Sequence, residues 1–321
     1  FYTKRTRGYG GEPVEGVDRI IEMSGDFVIA FLRVMPHAAE PERLAKNLAA
    51  MKEVKAVTLA EHLGKPAQPA EAPQFPDYQA SDADIFEKNF AEVMQFVVDH
   101  TTFDPANELD AAVLAALEPL GIKPGAKPDP AKAGKFDGKG MAETARRIHK
   151  EVLELWSSPD GNPYVYDLFK PKEEMTLEPM VVQSAYGPIG LPAHQAVYPG
   201  ITSADGEPIN ANHDYVIRMS KDEMPPAGAF WSVTLYDSKN GFLIPNDRKK
   251  YSVGENAGFK LDEGGGIEIH IAAEQPEGVP EENWLPINRG DEALDIVMRL
   301  YDPDLDKMKT WQAPKAQKLS Q

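Results

Sequence analysis

From residue 180 onward the chain is cut into short apolar runs, each closed by a turn signal. MVVQSAY, HDYVIRM, AFWSVTLYD, GFLIPN, IEIHIAA and LDIVMRLYDP follow one another, with DGEP, MPPAG, DSKNG and EGGG among the segments that separate them. In IEIHIAA an extended backbone puts Ile267, Ile269 and Ile271 on one face and Glu268 and His270 on the other. Short strands at this spacing, with no helical pattern between them, predict an antiparallel β-sandwich of jelly-roll or similar type. The segment Asn283-Trp284-Leu285-Pro286 is unusual among the intervening loops because it carries two large apolar side chains. It reads as an anchor, with Asn283 bonding its own downstream backbone in an Asx turn and Trp284 burying its ring.

Upstream the period changes twice. Residues 1–36 read as β, with Gly10, Gly11 and Gly16 as turns and the run Asp26–Met35 as a buried strand. From Pro41 the period is helical, and Leu44, Leu48 and Met51 share a face. A second helix starts at Ser81, a candidate cap, with Ile85, Phe86, Phe90, Val93, Met94 and Val97 as its apolar stripe. Further helices are predicted over Pro105–Leu117, ending at the proline and glycine signals of EPLGIKPG, and from about Gly140 to Trp156. The predicted fold is mainly β with a helical insert: a β segment at 1–38, a helical middle unit at 39–160 with a proline-rich connector at 65–79, and a C-terminal jelly-roll-like antiparallel β-sandwich at 161–321. The last segment, DLDKMKTWQAPKAQKLSQ, reads as a surface tail docked by Trp311.

A chain of 321 residues suggests two or three folding units. Its formal net charge of −17 argues against a nucleic-acid ligand, which demands clustered Lys and Arg, and against anionic lipid surfaces. With no cysteine, disulfides, thiolate metal sites and a cysteine nucleophile are excluded. The apolar runs fall short of the roughly 20 residues of a membrane span. The sequence begins at Phe1 without an apolar leader, so the numbered chain is expected to start inside a longer precursor.

Several separate motifs carry a resemblance. They are Phe230-Trp231-Ser232 with Thr234-Leu235-Tyr236-Asp237, Asn246 followed by Arg248 and Tyr251, Asn283-Trp284-Leu285-Pro286, and Arg299-Leu300-Tyr301 with Pro303. GIKPG, VYPGITSADGEPINANHDYVIRM and GVDRIIEMSGDFVIAFLRVM extend the match upstream. On these residues the chain resembles the bacterial proteins grouped as domain of unknown function 1254 followed by 1214. It departs from them where KPKEEMTLEPMVVQSAYGPIGLPAH replaces a glycine-rich block, and where Glu263-Gly264-Gly265-Gly266 replaces Asp-Gly-Ser. The resemblance implies jelly-roll-like N- and C-terminal β domains around a helical unit, with 1–38 as the remnant of the first. It supplies no activity and no catalytic residues.

Two arrangements are open for the aromatic and polar residues of these motifs. Trp231, Tyr236, Trp284, Arg299 and Tyr301, with Asn246, Arg248, Tyr251 and Asn283, can line a cleft for a sugar or another ring-bearing ligand. Alternatively the tryptophans fill the ends of the sandwich, the reading favoured here. An inward-facing Arg299 would require a partner, and Glu281, Glu282 and Asp237 are the candidates. His194, His213 and His270 lie in the β-rich third, without the spacing of a helical zinc site or of a cupin; they are the weak candidates for a metal. The acids of DPDLDKMK lack the glycine and closing glutamate of a calcium loop.

No complete catalytic constellation is present. The first functional expectation is therefore a non-enzymatic exported or envelope protein that assembles or binds a ligand. The second is a hydrolase or carbohydrate-active enzyme working with carboxylates and histidines of the C-terminal domain. Expected partners are further copies of the chain, as a homo-oligomer, and a small-molecule or carbohydrate ligand. No nucleic acid, transmembrane segment or cofactor is expected, and the expected location is periplasmic or exported.

Overall fold

The computed structural model of the chain describes residues 2–5, 14–32, 34, 37, 40–66, 71–127, 129–156, 163–187 and 189–319. Gly10, Gly11, Met35 and part of the proline-rich connector, all named above, lie outside them. Helix outweighs strand, about 32% against 19%, so the chain is mixed α/β rather than mainly β. The helical insert holds more ordered residues than the short strands do. The chain divides into two compact units, Phe1–Arg33 with Lys55–Leu153, and Val34–Val54 with Glu154–Gln321.

In the first unit, β1 (Tyr2–Arg5) and β2 (Ile20–Met23) pair in parallel, Tyr2 against Ile20 and Arg5 against Met23. The strand expected over Asp26–Met35 does not form in its described residues, and Phe27, Val28, Ile29, Phe31 and Leu32 are exposed. An apolar run becomes a strand only where a neighbour supplies backbone partners. Here the adjoining chain makes an isolated bridge, Gly25 to Thr101.

In the second unit, α1 (Pro41–Lys52) begins with its proline in the first turn and leaves Leu48 and Met51 exposed. The first unit continues with α2 (Leu59–His62), closed by a reciprocal Thr58–Glu61 capping box. The helix expected from Ser81 is two helices, α3 (Asp82–Lys88) and α4 (Phe90–Asp99). Asn89 breaks them at φ −148° and ψ 32°, its Nδ2 donating to the carbonyl of Asp77 at 2.9 Å. Within α4 the residues Phe90, Met94 and Val98 repeat every fourth position and pack with Leu117 and Ile122; Val98 is buried at 0% exposure, while Val97 of the predicted stripe is 41% exposed. The Ser81 side chain makes no capping bond. Asn107 caps the next helix, α5 (Glu108–Leu117), and Gly121 at φ +76° ends the turn that follows. The unit continues through α6 (Pro130–Ala133) and most of α7 (Gly138–Trp156).

The second unit contains α8 (Leu177–Tyr186), which includes MVVQSAY, read above as a strand. Pro179 in the first turn suits a helix start, and Ser184 Oγ donates to the carbonyl of Met180 one turn back. Short apolar runs look alike in either state. The strands that follow are β3 (Ala196–Val197), β4 (Gly200–Ile201), β5 (Tyr215–Met219), β6 (Ala227–Asp237), β7 (Ser252–Gly254), β8 (Ile267–Ala272), β9 (Trp284–Pro286) and β10 (Leu294–Pro303). They end with α9 (Leu305–Met308) and β11 (Ala316–Lys318). GFLIPN forms only an isolated bridge, Leu243 to Tyr236, because side chains of Asn246 and Asn288 take the carbonyls of Ile244 and Pro245. Of NWLP, Asn283 ends a 3-10 turn and Trp284–Pro286 form edge strand β9, where Pro286 is tolerated.

Two sheets result. The five-stranded antiparallel sheet runs β3-β10-β6-β7, with β4 also on β10, and the four-stranded sheet runs β11-β5-β8-β9 with β8 and β9 parallel. One core joins them: Trp231, Val233, Leu235, Ile296, Met298 and Leu300 from the first meet Ile217, Ile269, Ile271 and Leu285 from the second. Each such side chain contributes about 1.5–3 kcal/mol. The expected surface tail instead closes the second sheet as β11, because backbone bonds to β5 require no apolar alternation. Trp311 docks beside it, Nε1 donating to the carbonyl of Glu223 at 2.9 Å. The aspartates of DPDLDKMK act locally, Asp304 capping α9 and Asp306 pairing with Lys309.

Ile269→Ala should lower the unfolding free energy by about 2–5 kcal/mol in urea titration. Val97→Ala should change it by no more than about 0.5 kcal/mol.

Candidate functional site

Alternation along β6 and β10 gives the five-stranded sheet a second, outward face. With Trp231, Val233 and Leu235 turned into the core, Phe230, Ser232, Thr234 and Tyr236 point away from it. On β10 the outward set is Asp295, Val297, Arg299 and Tyr301. The register places Arg299 opposite Ser232, Val297 opposite Thr234 and Tyr301 opposite Phe230. On the other flank Gly254 of β7 lies opposite Ser232, where an added Cβ would stand 2.8 Å from the serine Cβ. Tyr198 follows β3 beside β10.

These residues organise around one cation. A terminal guanidinium nitrogen of Arg299 donates to the Tyr236 hydroxyl, and the guanidinium carbon lies 5.3 Å from the Tyr236 ring and 6.0 Å from that of Tyr198. Tyr301 stacks on Phe230 at 4.3 Å and 17°, and Tyr198 meets Tyr301 edge-on at 6.5 Å. A guanidinium has five N–H donors. Among the described residues only the Tyr236 hydroxyl accepts from it, and no carboxylate lies within 4.0 Å. Beside it Ser232 and Thr234 are only 8% and 6% exposed, and their hydroxyls make no hydrogen bond among the described residues.

The carboxylates proposed above for Arg299 are engaged elsewhere. Glu281 pairs with Arg248 at 2.8 Å and Glu282 with Lys260 at 3.5 Å, both at the β9 edge of the other sheet. Asp237 accepts from the Asn240 side chain and from the Lys239 backbone, which hold its carboxyl below the usual range. Arg299 faces outward, so the requirement for an internal counter-ion does not arise.

The Trp284 corner is closed by its own contacts. Trp284, 3% exposed, donates from Nε1 to the carbonyl of Ala272 at 2.9 Å, and Arg248 covers its ring at 4.8 Å. Asn283 makes no Asx turn. Its amide donates to the carbonyls of Lys260 and Glu268 at 2.8 and 3.0 Å and accepts from the Lys260 N–H at 2.7 Å, clamping three segments. Asn246 bonds Lys250 in both directions, through Nδ2 to its carbonyl at 2.8 Å and from its N–H at 3.1 Å. Desolvation pushes the Lys250 ammonium down, against the raising effect of Glu281 and Glu282. Half-buried Tyr251 offers its carbonyl to the Leu235 N–H at 3.4 Å. Trp231, also 3% exposed, stacks on Phe259 at 5.0 Å.

The nine aromatic and polar candidates thus separate. Tyr236, Arg299 and Tyr301 share one face; Asn246, Arg248, Asn283 and Trp284 build a closed corner; Tyr251 pairs with β6 through its backbone; Trp231 is core. Tyr198, Phe230, Ser232 and Thr234 belong to the motifs quoted above but were not named as site candidates. The alternation around Trp231 held the signal for three of them, but strand register was needed to read it.

Histidine chemistry is local. His194 is exposed and His213 half-buried, while His270 Nε2 sits 3.2 Å from Glu268 Oε2 and its Nδ1 is buried without a partner. Among the described residues no three His, Cys, Asp or Glu side chains are grouped to hold a metal ion. Glu268 also accepts from Arg218 Nε at 2.7 Å, and this bond, followed by that of His270, keeps its carboxyl below the ordinary range.

Asn283→Ala orphans buried backbone groups of two segments and should cost about 1–3 kcal/mol in urea unfolding. The Glu268 pair stabilises the fold above the unfolded carboxyl value of about 4.3, and the contribution is lost as pH falls through the lowered folded value. Arg218→Ala should therefore reduce stability at pH 7 by about 0.2–1 kcal/mol, the pair being nearly half-exposed. In unfolding titrations against pH this difference should shrink towards zero on acidification.

Residues 195–305 match the family model described as protein of unknown function (DUF1214). No curated protein matches the chain. Among solved structures it is similar to the VPA0106 protein from Vibrio parahaemolyticus, at 21% identity and a TM-score of 0.72, covering 99% of this chain and 75% of that one; the likeness is one of fold. A putative uncharacterized protein from Burkholderia cenocepacia aligns at 17% identity and a TM-score of 0.30, over 60% of this chain and 45% of that one. The segment that matches the family model contains the β10–β6 ladder and every residue of the Arg299 face, so over those residues the chain is similar to the DUF1214 family.

Proposed function

We propose that this chain is a non-enzymatic ligand-binding protein of the bacterial cell envelope, built on a jelly-roll-type C-terminal sandwich, with its ligand on the outward face of the five-stranded sheet. The observation that carries this reading is Arg299, a half-buried guanidinium flanked by tyrosines, with most of its donors unmatched by acceptors among the described residues. Such donors gain from a ligand that brings its own acceptors. Their position on a paired strand, oriented by Tyr236, reduces the ordering cost of binding. Aromatic rings around the cation offer apolar faces to a ring-bearing small molecule or carbohydrate. The proposal includes an exported location, a homo-oligomer, and the three-part division at residues 38 and 160.

Calorimetric titration of the purified protein with D-glucose, D-glucuronate and benzoate tests the site. Saturable binding of at least one probe should weaken about tenfold or more in Arg299→Ala, and Arg248→Ala should leave it unchanged. Absence of binding by all three probes, or binding insensitive to Arg299, overturns the reading. Light scattering that shows a strict monomer removes the oligomer from it.

A further inference from the structure

Resting on that binding reading, we infer that the ligand of the Arg299 face is an acidic sugar, a pyranose ring bearing a carboxylate. Three features of the face each select one part of such a molecule. The guanidinium presents planar paired donors that match a carboxylate, and among the described residues no protein carboxylate competes for them. Ser232 and Thr234, in register with Arg299 and Val297, are more than nine-tenths buried on the same outward face, with hydroxyls that have no hydrogen-bond partner among the described residues. A hydroxyl both donates and accepts, which is the complement of the vicinal hydroxyls of a sugar. An apolar aromatic acid would leave these two groups unsatisfied, at a cost that disfavours it. Tyr198, Tyr236 and Tyr301 supply rings against which the C–H face of a pyranose packs.

Charge narrows the class further. The chain carries a formal net charge of −17, and one arginine faces the ligand. Repulsion from the protein grows with the charge of the ligand, so a monoanionic carboxylate is favoured over a dianionic phosphate. Gly254 keeps the centre open, since an added side chain at that position would collide with Ser232.

The test is calorimetry at fixed ionic strength with D-glucuronate, D-glucose, benzoate and D-glucose 6-phosphate. The variants are Arg299→Ala, Arg299→Lys and the double change Ser232→Ala with Thr234→Ala, each checked for folding by circular dichroism and urea midpoint. D-Glucuronate should bind at least about tenfold tighter than the other three probes. Arg299→Ala should bring it to the level of D-glucose, and Arg299→Lys should restore part of the loss because the charge returns without the fork. The double variant should weaken D-glucuronate and should not weaken benzoate, whose penalty for the unsatisfied hydroxyls it removes; if Arg299→Ala fails to fold, Arg299→Lys and the double variant carry the comparison. Equal binding of D-glucose and D-glucuronate overturns the acidic class while the binding reading stands. Benzoate binding as tightly as D-glucuronate, or a double variant without effect, overturns the sugar. D-Glucose 6-phosphate binding as tightly or tighter overturns the carboxylate. No binding by any probe removes the binding reading itself.

Discussion

The antiparallel ladder between β6 and β10 governs both sides of the C-terminal unit. Nine residues of β6, from Ala227 to Asp237, are in register with partners on β10. Backbone pairing of this length holds every side chain to one side of the sheet, because successive residues point in opposite directions. Trp231, Val233, Leu235, Met298 and Leu300 therefore fill the core, and Phe230, Ser232, Thr234, Arg299 and Tyr301 are held together on the opposite face. A one-residue slip of the ladder would destroy both sets at once. The candidate site shares its cause with the core.

The same residue types serve opposite ends in the two sheets. At the edge beside β9, Arg248 lies over Trp284 and pairs with Glu281, and Asn283 joins three backbone segments. Each polar group there has a protein partner, so the corner stabilises a boundary of the fold. Arg299 also lies near aromatic rings, yet its contact is a neutral hydroxyl and its remaining donors face outward. What distinguishes the two arginines is the set of acceptors that the described residues place around each.

Legibility varied along the chain for identifiable reasons. IEIHIAA was readable as a half-buried strand because its three isoleucines alternate without interruption, and β8 has that pattern. MVVQSAY has no such alternation and became α8, where the preceding Thr-Leu-Glu-Pro segment starts a helix. Asn89 has no mark in the sequence as a break, but its side chain bonds the carbonyl of Asp77 and its backbone leaves the helical region, splitting the helix. The run after Asp26 has strand composition, but composition cannot provide a neighbouring strand. Of the candidate site, Tyr236, Arg299 and Tyr301 were named as candidates from their motifs, whereas Tyr198, Ser232 and Thr234, present in the same motifs, acquired a place at the site only from register.

By itself the sequence determined the segments whose period runs unbroken, such as IEIHIAA, because hydrophobic period and turn residues act locally along the chain. It also determined the charge balance that disfavours nucleic acid. The tertiary structure alone decided which strands became neighbours, which tryptophans were sealed inside, and which arginine came to lie on the outward face beside Tyr236. Those outcomes depend on contacts between residues far apart in the chain, and local pattern carries no information about distant partners.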